Sequence, residues 1–127
     1  MLYCIFCYND DEMVGNWSKS EEEAVMTRLA VVQDKLAATG KLGPVARLQS
    51  IKTATNVRKN GGKVVVTDGP FAEAKEHLLG FYMIDCESIE EATEIAKSLQ
   101  AANSGPSAYE IRPVMYYGAG GEAGKRI

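Results

Sequence analysis

Two helical periodicities set among strand-like segments, with one Asn-Gly-Gly turn between two of the strands, predict an α+β fold of the ferredoxin-like type. The expected form is an antiparallel sheet with two helices on one face and an inserted β-hairpin. Residues 2–8 alternate along a strand whose two faces are both largely apolar. The first helix runs from about Lys19 to Thr39. Ser18 and Ser20 each precede a Glu by three residues, Val25, Leu29, Val32 and Leu36 recur on one face, and Gly40 ends it. Strands follow at 44–50, 54–59 and 63–67, the last two joined through Asn60-Gly61-Gly62, whose residues tolerate the positive φ of a tight hairpin loop. A strand at 79–86 leads to the second helix. Ser88 and Glu91 offer its capping box, Ile89, Ala92, Ile95, Ala96 and Leu99 its buried stripe, and Gly105-Pro106 its stop. A last strand spans 108–116.

One domain, residues 1–117, accounts for these elements, and 118–127 read as a flexible, Gly-rich tail. With 46% apolar and 24% charged residues the composition is that of an ordinary globular protein, and the longest apolar runs are far too short to span a bilayer. The start has neither the basic run nor the small-residue cleavage site of a secretory signal, so the cytoplasm is the expected location. A net charge of −3 argues against binding to a nucleic-acid backbone. Charge is nevertheless uneven: residues 47–67 carry Arg47, Lys52, Arg58, Lys59 and Lys63 without an acid, while Asp10 to Glu23 is mostly acidic. The basic stretch is either a solvated hairpin or an attractor for an anionic small molecule.

Three cysteines do not make a disulfide framework, and the Cys4-x-x-Cys7 spacing puts the two sulfurs on opposite faces of a strand, out of reach of one ion. No metal is expected. Phosphate loops, dinucleotide fingerprints and nucleophile elbows are missing from the sequence, so no cofactor is expected either. Two helices cover one sheet face only, while strand 2–8 is apolar on both. The same face of a second subunit is the economical cover, giving a homodimer closed like a barrel.

The segment Val64-Val65-Val66-Thr67-Asp68-Gly69-Pro70-Phe71-Ala72-Glu73-Ala74-Lys75-Glu76, followed by Gly80-Phe81-Tyr82, closely resembles the DGPF signature of the YCII-related family. Thr53-Ala54-Thr55-Asn56-Val57-Arg58 and Glu110-Ile111-Arg112-Pro113-Val114 resemble two further strand motifs of that family, so the likeness covers nearly the whole chain. It implies a ferredoxin-like fold and a dimeric α/β barrel. Related proteins pair a His on the first helix with an Asp near the subunit cleft, one acts in chloroaromatic breakdown, and others are associated with alternative sigma factors. This chain departs from the His-Asp pattern: its first helix has no His, and its single one, His77, follows the signature.

The candidate site therefore centres on Asp68. Its carboxylate either caps the turn made by Gly69-Pro70 or faces a cleft, partly desolvated, as a base or a polar contact. Phe71 is expected to anchor the turn in the core. Glu73, Lys75 and Glu76 suit local ion pairs, yet Lys75 could also hold an anionic substrate beside Asp68, with Arg58 or Arg112 as a second cation. His77 is either a hydrogen-bonded surface residue or a catalytic group. Tyr3, Tyr82 and Tyr109 either line a cleft or serve packing. Two functions fit: a homodimeric small-molecule-binding or regulatory module with its cleft near Asp68, or a cofactor-free enzyme of the lyase, isomerase or dehalogenase kind using Asp68 with Lys75 or His77.

Overall fold

The computed structural model describes residues 1–71 and 75–120, with the backbone of 125–126. In chain order the elements are β1 (Leu2–Asn9), α1 (Asp11–Gly15), α2 (Lys19–Ala38), β2 (Leu42–Arg47), a 3₁₀ turn (Ile51–Thr53), β3 (Thr55–Asn60), β4 (Lys63–Asp68), β5 (His77–Asp85), α3 (Ile89–Ala102), β6 (Ser107–Pro113), β7 (Tyr116–Tyr117) and β8 (Lys125–Arg126). Four strands form an open antiparallel sheet in the order β2-β5-β1-β6, β3 pairs with β4, and β7 pairs with β8. Each long helix thus bridges two strands that have a third strand between them. Among the described residues no helix is long and apolar enough to cross a membrane.

Alternation along β1 decides which face meets the helices. Tyr3 and Ile5 are buried and lie opposite Ile84 and Tyr82 of β5. Val25, Leu29 and Leu36 of α2 and Ala92, Ile95, Ala96 and Leu99 of α3 join them in one core. Both expected helical stripes therefore pack as a core, with two adjustments. Val32 is only partly buried, and Ile89, at the first helical position of α3, is exposed. The opposite sheet face carries Cys4, Phe6 and Tyr8 beside Met83, Phe81 and Leu78, with Glu110 and Arg112 from β6 across the other edge.

Local chemistry fixes the ends of the helices. Ser18 Oγ accepts from Glu21 N at 3.1 Å and Ser88 Oγ from Glu91 N at 3.2 Å, as N-caps do. The C-terminal end of α3 is held by Arg28 of α2, whose Nε donates to Ala102 O at 2.9 Å and whose Nη2 donates to Ser104 Oγ at 3.0 Å. A cation there also suits the negative pole of the helix. Helix α1, which the sequence reading did not contain, is one short turn initiated by Asp10, whose Oδ1 accepts from Glu12 N and Met13 N at 3.0 and 3.2 Å.

The hairpin β3–β4 turns through Gly61 and Gly62 with φ of 56° and 89°, the doubly positive pattern that a two-residue loop requires. Strand β6 ends at Pro113, earlier than expected, although Val114 N still donates to Leu2 O at 2.9 Å; Pro113 stands on the edge strand, where its missing N–H is tolerated. Edge strand β2 approaches β5 so closely that a Cβ on Gly80 would lie 2.6 Å from Ala46 O. Gly80→Ala is therefore expected to cost about 1–3 kcal/mol. The measurement is the urea midpoint, with Gly15→Ala, where a Cβ meets nothing within 4 Å, as the neutral control. Equal midpoints for the two variants would contradict the close approach.

Candidate functional site

The β1–β5 register sets Asn9 opposite His77, which brings the end of β1 beside the start of β5. An open hollow of about 630 Å³ forms there, lined by Asp10, Asp11, Glu12, Lys52, Lys75 and His77. Asp11 is buried and fully engaged: Oδ2 accepts from Ser50 Oγ at 2.9 Å and Oδ1 from Ile51 N at 3.1 Å, which fastens the loop after β2 to α1. His77 is the opposite case. Both ring nitrogens are shielded from solvent and hydrogen-bond to nothing among the described residues. A buried unpaired imidazole nitrogen costs on the order of 1–3 kcal/mol. The hollow thus combines carboxylates and ammonium groups with the His77 ring in its wall, suited to a small polar molecule carrying more than one functional group.

Of the other sequence-derived site residues, Lys75 lines the same hollow and the rest lie elsewhere. Asp68 ends β4 and is exposed, and among the described residues its carboxylate makes no hydrogen bond. Other groups hold the turn that follows: Gly69 N donates to Ala54 O at 2.8 Å and Asn56 Nδ2 donates to Gly69 O at 2.7 Å. Phe71 does not enter the core. Its ring is 70% exposed and carries the Arg58 guanidinium 4.7 Å from its centroid, while Arg58 Nη2 donates to Phe71 O at 3.1 Å. A cation over the aromatic face takes the place of the expected apolar packing. Arg112 faces Cys4 on the sheet face turned away from the long helices, and Lys75 and Glu76 are exposed. Glu73, expected in a local ion pair with these, lies outside the described residues, as do 121–124 and 127 of the expected tail. The backbone of Lys125 and Arg126 pairs with Tyr117 and Tyr116. Of the basic stretch, Arg47 is ion-paired with Glu22 at 3.2 Å.

Tyr82 is buried on the helix side of the sheet, where it lines a second space, a cavity of about 130 Å³ between α2 and the strands. Tyr109 and Cys7, neighbours across β1 and β6, line it too, and Asn103 Nδ2 donates to Tyr109 Oη at 3.1 Å. Burial pushes the Cys7 thiol from its ordinary value near 9 up to about 12, with Tyr109 beside it acting weakly in the other direction. Burial likewise raises the phenols of Tyr82 and Tyr109. Cys7, Tyr82 and Tyr109 are therefore neutral throughout the physiological range, and the charged group on the wall is Arg47. Sequence reasoning did not select Asp10, Asp11, Gln33 or Asn103. For Asp10 a signal existed, an Asp directly after a strand and before a short helical turn; for the others none did, since long-range packing brings them in.

A proton held more tightly by the folded chain than by the unfolded one makes stability fall as pH rises above the unfolded value. Cys7 thus contributes full stability below pH 9 and a progressive loss up to about pH 12. Cys7→Ala is expected to flatten urea-derived stability between those limits. Equal slopes for variant and wild type would assign the alkaline sensitivity to Tyr82 and Tyr109 instead.

The YCII-related domain matches residues 1–117. An uncharacterized protein of Rhizobium meliloti (strain 1021), R00369, is 50% identical over 120 residues, which is 94% of this chain and 97% of that relative. Domain-wide coverage and identity at that level, with the strand motifs seated in β3, β4, β5 and β6, establish that the chain belongs to the YCII-related family.

Proposed function

We propose that the protein is a homodimeric small-molecule-binding module. Its protomers are of the ferredoxin-like type, the sheets meet through the face bearing Cys4, Phe6, Tyr8, Phe81 and Met83, and the ligand occupies the hollow between Asp10, Asp11, Lys75 and His77. The observation that carries the ligand reading is His77, whose two buried nitrogens have no hydrogen-bond partner among the described residues while it lines a hollow of mixed charge. Burying an imidazole without partners is unfavourable unless something supplies them. Lys52 and Lys75 favour a ligand with an anionic group, and the carboxylates of Asp10 and Glu12 favour one that also offers hydrogen-bond donors.

The dimer reading rests on apolar surface. Besides the open sheet face, Val57, Val64 and Val66 share one side of the hairpin and are 68%, 62% and 61% exposed. Valines so placed leave apolar area in water that a second chain would remove, at about 25 cal/mol per Å². In that assembly the hairpin acts as an arm laid along the partner.

Two measurements test these halves separately. Light scattering is expected to give twice the chain mass for the wild type and the single chain mass for Phe6→Asp, because a carboxylate in a face-to-face apolar contact is strongly unfavourable; a monomeric wild type would end the dimer reading. A thermal-shift screen with small carboxylates and phosphorylated metabolites is expected to find a compound that raises the wild-type midpoint by several degrees and leaves His77→Ala unmoved. An equal shift in both proteins would remove the ligand from His77.

A further inference from the structure

The cavity between α2 and the sheet is separate from the hollow at His77. Neither His77 nor Lys75 lines it, and its composition is different. Its walls are mostly apolar, with Met26 and Leu29 from α2, Val14 and Trp17 from the segment before it, and Val45 from β2. Polar atoms gather at one end: the Tyr109 hydroxyl, the Cys7 thiol and the Gln33 amide, with Asn103 behind Tyr109. At about 130 Å³ it is close to the roughly 150 Å³ at which an apolar cavity takes up one benzene ring. A space of that size with one polar end selects by shape on one side and by a hydrogen bond on the other.

We propose that this cavity binds one small, uncharged ring compound bearing a single hydroxyl group, with the ring against Leu29 and Met26 and the hydroxyl against Tyr109. The hydrogen-bond inventory supports the pairing. Tyr109 Oη accepts from Asn103 Nδ2 and lies against the Cys7 thiol, a weak partner that a ligand hydroxyl can displace, and it keeps a lone pair to accept, so it can serve a ligand hydroxyl in either sense. Neutrality follows from the surroundings. Burial holds Cys7, Tyr82 and Tyr109 in their protonated forms, and the same low-dielectric setting disfavours an ionised ligand. The one guanidinium on the wall, Arg47, is already engaged by Glu22.

Trp17 is the single tryptophan of the chain and lines the cavity, so it reports occupancy directly. Phenol and toluene are titrated into the full-length protein by calorimetry, and 4-bromophenol is titrated while Trp17 fluorescence is followed. Saturable 1:1 binding of phenol is expected, tighter than toluene by about tenfold, the size of one net hydrogen bond. Saturable quenching of Trp17 by 4-bromophenol should be relieved by competing phenol. In Tyr109→Phe the preference for phenol over toluene is expected to vanish while toluene binding persists, an outcome that loss of structure would not produce. Leu29→Phe fills the space and is expected to abolish both. Failure of phenol and toluene alike to bind the wild type overturns the proposal, whatever happens at His77. So does an unchanged phenol preference in Tyr109→Phe, or Trp17 quenching that phenol does not compete away.

Discussion

Strand β1 has a hydrogen-bonded neighbour on each edge and apolar side chains on each face, and the rest of the fold is arranged around that fact. Because side chains alternate, Tyr3, Ile5 and Cys7 can be turned to the helices only if Cys4, Phe6 and Tyr8 are turned away from them. The pairing with β5 then fixes Tyr82 and Ile84 on the helix side, and α2 and α3 complete a single core over it. The same register carries the candidate sites. It sets His77 against Asn9 at the edge of the hollow, and Cys7 against Gly80 and Tyr109 at the floor of the cavity.

The two spaces differ in kind. The hollow is open, mixed in charge and built from residues at the ends of elements, with His77 in its wall unpaired among the described residues. The cavity is smaller and largely apolar, built mainly from α2 and the strands with Val14 and Trp17 at one side, and apart from the ion-paired Arg47 its titratable groups are neutral. Loops readily acquire charge and exposed hydrogen-bonding groups, whereas packed interiors acquire shape. One domain can carry both without either depending on the other.

Much of the fold was legible in the chain because its causes are local. The stripe Val25, Leu29 and Leu36, the caps at Ser18 and Ser88, and the glycine pair of the hairpin act within a few residues of themselves. Helix α1 escaped because five residues are too few to show a period, and its cause is one Asp10 side chain. Phe71 was misplaced by its residue type: nothing near it in sequence announces that Arg58, thirteen residues away, takes its ring in solvent. The sites were least legible. Asp68, Arg58, Lys75, His77, Arg112 and Tyr82 share motifs along the chain, yet pairing distributes them over the hairpin, the hollow, the outer sheet face and the cavity. The proximity of His77 to Asp10 arises from strand pairing across most of the sequence, which no spacing encodes.

The contact between β2 and β5 has glycine on both sides. A Cβ on Gly43 would meet Met83 O at 2.9 Å, just as one on Gly80 would meet Ala46 O. The two bare positions act as a key cut twice. Sliding the outer strand by one residue would drive Leu42 or Pro44 and Leu79 or Phe81 into the opposing backbone, so misaligned pairings are penalised by collision as well as by lost burial. During folding, this edge can close in one alignment or stay open, and the outermost strand of the sheet needs no turn next to it to find its place.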